Sequence, residues 1–356
     1  MLFVKVPPFV QLPVPRGVIP LTMLVDQAGG GALPPAFHNE ENKVETFSYI
    51  LKRLLQMVIA LFVSTIIVFF MIRLIPGNPA RNMLGDFADP VAVEALSEKM
   101  GLNKPLVTQY FIYLQDLLHL DFGNSLKYKT SVASLMKSRL VVTGLLTLVS
   151  AVLTVIISIP LGYIAGKKKD TWIDQCVRGF SMVGLALPNF WIGLLLLILF
   201  GVKWKLVPVS GWGMDWATHW KSLILPGITQ AICTSAVLIR NQRNNVIEVK
   251  NSDYVYFARS KGLSESRIAT RYIVRNAAIP TVTLLSIKIA GMLGGAVIIE
   301  EVFSLPGLGS LLVTSILARD YAVVQAVVLF FAVVVLVINL LTDILYSLLD
   351  PQVKLQ

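Results

Sequence analysis

Residues 140–166 read LVVTGLLTLVSAVLTVIISIPLGYIAG, a stretch without one Asp, Glu, Lys, Arg or His. A helix rises about 1.5 Å per residue, so about 20 residues cross a ~30 Å hydrocarbon core. This run is long enough to do so, and its Leu, Val and Ile do not alternate as the strands of a membrane barrel would. Five further runs have the same character: 54–72, 179–202, 222–239, 279–299 and 321–342. Only 279–299 carries a charge, Lys288. The chain as a whole agrees, with 356 residues, 55% of them hydrophobic, 15% charged and a mean hydropathy of +0.71. The sequence predicts an all-α polytopic membrane protein with six transmembrane helices and a small extracytoplasmic helical segment.

The formal charge of +10 comes from 31 Lys and Arg against 21 Asp and Glu. These basic residues flank the apolar runs, which argues for topology rather than for nucleic acid. With the N-terminus inside, the inner segments from Lys43 onward hold 16 of them, including the Lys167-Lys168-Lys169 run, and the two short outer loops hold four. Both termini are expected in the cytoplasm.

Several chemistries have no footing. Cys176 and Cys233 fall in an inner loop and a span, so no disulfide is expected. His38, His119 and His219 lack a second ligand at metal-binding spacing. No G-x-S-x-G occurs, and Leu161 stands where a phosphate loop ending at Gly166-Lys167 needs its first glycine. The chain is therefore expected to bind no metal and no cofactor of its own.

Residues 1–45, interrupted by Pro7, Pro8, Pro13, Pro15, Pro20, Pro34 and Pro35 and slackened by Gly29-Gly30-Gly31, read as an irregular extension without the pattern of a secretory signal. Residues 46–75 form the first span and 76–139 an extracytoplasmic segment. In that segment Asp89-Pro90 marks a helix start, Gly101 its end, and 105–120 a second helix with one apolar face. Residues 140–349 are the transmembrane core and 350–356 a cytoplasmic tail. Within the core, 241–276 is a basic inner segment. It is expected to hold one short helix over 253–261, ended by Gly262, and a second running to about Arg275. A merely solvated loop would not need its Val255, Phe257, Ala258, Ile268, Tyr272 and Ile273, which imply a surface to dock on.

Residues 253–264, DYVYFARSKGLS, resemble the coupling-loop motif of the integral-membrane subunits of ATP-binding cassette importers, in particular the dipeptide/oligopeptide/nickel permease family. Further stretches resemble that family in the same order: 75–79 (IPGNP), 187–191 (LPNFW), 207–211 (VPVSG), 301–309 (EVFSLPGLG), 320–325 (DYAVVQ), 339–346 (NLLTDILY) and Asp350-Pro351. Tyr256 and Arg275 stand where importers at large have glutamate and proline. The resemblance implies a pore-forming subunit of a prokaryotic plasma (inner) membrane, not an enzyme, that works by alternating access. Its partners would be a second homologous permease, two cytoplasmic ATPases that carry ATP and Mg2+, an extracytoplasmic solute-binding protein and the lipid bilayer, with no nucleic acid. The implied cargo is a di- or oligopeptide, with nickel, opine or sugar-conjugate import as the alternative within the family and a stand-alone channel outside it.

The coupling loop nominates Asp253, Tyr254, Ala258, Arg259, Lys261 and Gly262. Ala258 is expected to let the knob approach an ATPase groove closely, while Arg259 and Lys261 either pair with that partner or stay solvated. Lys288 falls near mid-membrane and shares a helix face with Gly291, Met292 and Gly295. Lys288 and Met292 are thus candidates for the pore lining. The Lys288 ammonium either meets a substrate carboxylate or partner acid, or snorkels and bonds helix carbonyls. Gly291 and Gly295 allow close helix packing, inside the bundle or at a subunit interface. Glu300 is expected to end its helix in water and Glu301 to meet an outer partner.

Overall fold

The computed structural model describes residues 35–73, 77–85 and 87–349. The chain divides into two units, 1–49 and 50–356. In the first, the described residues are helical from Pro35, so 35–45 are not irregular as expected. Past Pro34 the sequence offers a proline at the first helical position and then Glu40, Glu41, Lys43 and Glu45, all good helix formers. The rest of the extension and the tail 350–356 lie outside the described residues. All that follows concerns the second unit.

Leu51–Met71, within helix α1 (Pro35–Arg73), is the first apolar span. Three short helices follow: α2 (Pro79–Leu84), α3 (Pro90–Lys99) and α4 (Leu106–Leu118). The Asp89 side chain caps α3 by accepting from Val91 N at 3.1 Å. Gly101 follows that helix in the left-handed region at φ +65°. The apolar face of α4 packs on α1, with the Tyr110 ring 5.1 Å from Phe69 and its hydroxyl 2.8 Å from Thr65 Oγ1.

The bundle itself comprises α5 (Val132–Lys167), α6 (Trp172–Ala186), α7 (Asn189–Leu196), α8 (Trp216–Lys250), α9 (Asp253–Ser260), α10 (Glu265–Arg267), α11 (Arg275–Val302), α12 (Leu308–Leu317) and α13 (Tyr321–Leu349). Helix α7 runs on into a π-helical turn, Leu197–Lys203, and a second π-helical turn, Ile268–Val274, joins α10 to α11.

Among the described residues, five helical segments are each long and apolar enough to span a membrane. The sixth expected span, 179–202, is not straight: α6 and α7 meet at 109° around Leu187-Pro188. Pro188 has no N–H to donate and holds Leu187 extended at ψ 137°, so the helix stops at Ala186 and restarts at Asn189. The inner segment also differs from its reading. Residues 241–250 prolong α8 to 35 residues, about 52 Å. The helix expected to stop near Arg275 continues without a gap to Val302.

Lipid gives little hydrophobic drive for helix association, so small residues and polar links must hold the bundle. Helix α8 is its most enclosed span. It approaches α5 where Gly162 and Gly166 lie: a Cβ on either would sit 2.5 Å from Gln242 Cβ or 2.7 Å from Val246 Cβ. Ser150 of α5 donates to Gln230 of α8 at 2.9 Å, and Gln230 donates to the Met292 carbonyl of α11 at 2.6 Å. A second polar tie joins the segment between α4 and α5 to the start of α13: Ser125 Oγ donates to buried Asp320 Oδ2 at 2.5 Å.

Candidate functional site

At the C-terminal end of α8 the chain folds into a knob. Val255 and Ala258 of α9 turn inward onto Val246, Ile268, Ile273 and Ala277, and together they form a separate small core. Gly262 follows α9 at φ +72°, the left-handed conformation that a Cβ makes costly. The chain thereby reverses into α10. Arg259 Nε pairs with Glu265 Oε1 at 2.9 Å within the knob, and Lys261 Nζ lies 4.5 Å over the Phe257 ring. Asp253 is exposed in the first turn of α9.

One expectation changes here. Ala258 is 3% exposed and faces the knob's own core, so it cannot be the residue that enters a partner's groove. Its small side chain serves instead to bring α9 down onto Ile268 and Ile273. The outward residues are Tyr254, Tyr256 and Phe257, the last 61% exposed. Of these only Tyr254 was nominated from sequence. The i, i+3 pairing of Val255 with Ala258, both buried, was the signal that the remaining positions point away.

The knob is tied to α6 through a buried carboxylate. Asp174, near the start of α6, has no exposed surface and accepts from Arg243 Nε at 2.6 Å and Nη2 at 2.7 Å. Arg243 lies in the part of α8 that extends towards the knob. This fork-to-fork geometry fixes direction as well as distance between the two helices. Nothing local in the sequence marks it, since the partners stand 69 positions apart.

On α11, Ile287, Gly291, Gly294, Ile298 and Glu301 fall within about 40° of one direction on a 100° wheel. All five are exposed in this chain, and a Cβ on Gly291 or Gly294 would meet nothing within 4 Å. This is a continuous face about 21 Å long with no occupant among the described residues. Lys288, half-buried, flanks it. Met292 departs from its expected place on the pore lining. It is 3% exposed, buried on the opposite side with its carbonyl held by Gln230. Gly291 and Gly295 also separate, for Gly295 approaches Gln230 and Asn189 while Gly291 is open.

Glu300 does not end its helix in water. It is wholly buried and accepts from Thr143 Oγ1 at 2.6 Å and from Ser310 N at 3.0 Å. The carboxylate thus seats the N-terminus of α12, where the helix dipole favours a negative charge. Glu301 is exposed at the C-terminal end of the open face.

Among the described residues no group of three His, Cys, Asp or Glu side chains could hold a metal ion. His219 stacks 4.4 Å from Trp212, and His119 Nδ1 meets its own helix at Gln115 O. Cys176 and Cys233 are free.

Comparison with known proteins decides the family. Residues 158–355 match the family model described as the binding-protein-dependent transport system inner membrane component, and residues 46–147 match the model of its N-terminal part. The chain belongs to this permease family. It is 36% identical to the glutathione transport system permease protein GsiC of Escherichia coli (strain K12), over 86% of this chain and 99% of that one. It is 37% identical to a putative peptide transport system permease protein of Brucella abortus (strain 2308), over 86% and 98% respectively. The methionine ABC transporter MetNI, solved in inward-facing conformations, shares the fold at a TM-score of 0.51 and 15% identity, over 61% of this chain and 97% of that one.

As a permease of the peptide/glutathione/nickel group of ATP-binding cassette importers, the chain is a multi-pass inner-membrane transport subunit.

Proposed function

We propose that this permease forms one half of the translocation pore of an ATP-driven importer for small peptides, glutathione-like tripeptides among them. Both termini are cytoplasmic in this reading. The knob docks on an ATPase through Tyr254, Tyr256 and Phe257. A second, homologous permease faces α11, and an extracytoplasmic solute-binding protein approaches the outer segment and Glu301. ATP and Mg2+ bind to the two ATPases, not to this chain.

The observation that carries the reading is the knob's construction. A short helix that spends its small and β-branched residues on its own core, and turns three aromatic rings outward, presents a rigid surface that needs a partner. Closure of paired ATPases would move two such knobs together. The Asp174–Arg243 fork would pass that motion to α6, and the α11 faces would then open outward instead of inward. The names of the glutathione and peptide relatives support the class of cargo.

Uptake into proteoliposomes that hold this chain, its partner subunits and enclosed ATP tests the reading. Accumulation of labelled glutathione or dipeptide that needs ATP is expected. ATP-dependent nickel uptake without peptide uptake would move the cargo to the other branch of the family.

A further inference from the structure

A cleft of about 340 Å3 lies between α6 and α8, and no motif considered so far uses it. Its polar lining includes three guanidinium groups, those of Arg178, Arg240 and Arg243. Val177, Met182 and Leu185 contribute to its apolar wall. Only one carboxylate, Asp174, is within ion-pair distance of these arginines among the described residues. Its two oxygens are already held by Arg243 at 2.6 and 2.7 Å, and Arg178 stands off at 3.9 Å. Arg240 is exposed and has neither a hydrogen bond nor an ion pair among the described residues. Three positive charges therefore share one negative charge, beside an apolar surface.

The level of the cleft in the membrane follows from the chain. Arg240 is the first charged residue after the apolar stretch 222–239, which places it where hydrocarbon gives way to headgroups. Trp172, 72% exposed at the start of α6, sits as an interfacial aromatic does. Met182 and Leu185 are exposed on the side of Arg178 away from Trp172, towards the hydrocarbon. The cleft thus has a cationic end at headgroup depth and an apolar end at acyl-chain depth.

We infer that this cleft holds an anionic phospholipid, its phosphate between Arg178 and Arg240 and an acyl chain along Met182 and Leu185. A free phosphate would have no use for the apolar wall, whereas an anionic amphiphile matches both ends. Basic pockets between membrane helices are the usual seats of such headgroups. Because the cleft abuts the Asp174–Arg243 fork, the lipid would brace the joint between α6 and the knob. The inference does not depend on the cargo.

The test uses the full chain purified with its partner subunits, in nanodiscs of phosphatidylcholine doped with phosphatidylglycerol. Mass spectrometry then measures the lipid retained after detergent exchange. The wild-type complex is expected to retain phosphatidylglycerol over phosphatidylcholine. The double variant Arg178→Gln, Arg240→Gln should lose that preference by about tenfold or more, since each basic residue near an anionic headgroup contributes on the order of 1 kcal/mol. The two single variants, each leaving the Asp174–Arg243 fork intact, give the same comparison with a smaller loss should the double variant fail to fold. Equal phosphatidylglycerol retention in wild type and variants would overturn the inference. Displacement of the lipid by millimolar inorganic phosphate, or by glutathione, would also overturn it and give the cleft to a soluble anion.

Discussion

Thr143 Oγ1 donates to Glu300 Oε1 at 2.6 Å inside the bundle, although 157 positions separate them in sequence. The same hydroxyl accepts from Leu308 N at 2.8 Å, and Glu300 Oε2 takes Ser310 N. One threonine and one glutamate thereby bind α5, α11 and the start of α12 to each other. Gly307 and Gly309 leave room for the carboxylate, and a Cβ on Gly309 would sit 2.4 Å from Val297 Cα.

Thr143→Val is expected to destabilise the purified permease by about 1–3 kcal/mol, because it removes a donor from a buried carboxylate and an acceptor from a buried N–H. Gly309→Ala should cost more, since backbone rather than a flexible side chain must move. Thermal unfolding in one detergent compares the two. An unchanged melting temperature in both would mean that α12 is seated by something else.

Gly262→Val should abolish ATP-driven uptake while leaving membrane insertion intact. A β-branched residue at φ +72° is strained, so the reversal after α9 would shift and the knob with it. Gly262→Asn should retain most activity, as asparagine tolerates the left-handed region. Equal loss in both variants would point to a need for space rather than for backbone conformation. That outcome would be surprising, because a Cβ at this position meets nothing within 4 Å.

Tyr110 and Tyr113, one turn apart on α4, should respond in opposite ways to loss of the hydroxyl. Tyr110→Phe loses the bond to Thr65 and should cost about 1 kcal/mol. The buried Tyr113 hydroxyl has no hydrogen-bond partner among the described residues, so Tyr113→Phe should be neutral or stabilising near pH 7.

Burial, with Tyr110 nearby, pushes the Tyr113 phenol up to about 12. The unfolded phenol titrates near about 10. The folded state therefore holds the proton more tightly, and the resulting stability is complete below about pH 10 and lost as pH rises through about 12. Wild type should accordingly lose more stability over that window than Tyr113→Phe, as read by denaturation at a series of alkaline pH values.

The spans were legible because each is a run of apolar residues, and hydropathy reports length without regard to partners. Their shape was less so. The 109° break lies at Leu187-Pro188, within a run whose composition does not change, and the proline was the only local mark of it. At the knob, a small residue such as Ala258 suits either a close approach to a partner or a close-packed core, and spacing to Val255 decides between them. Glu300 reads like its exposed neighbour Glu301 because burial there depends on Thr143 and on the chain's return through Gly307 and Gly309. Asp174 and Arg243 meet only through tertiary packing. Sequence periodicity shows which face of a helix is apolar, but not which distant residue completes a buried polar pair.

Photo-crosslinking from a benzoylphenylalanine placed at Phe257 in the assembled transporter, with the same probe at Glu301 as the comparison, reads out what the knob touches. Position 257 is expected to capture an ATP-binding subunit and position 301 is not. Failure of position 257 to capture that subunit, in a complex that still hydrolyses ATP and transports, would contradict the assignment of the knob as the docking surface.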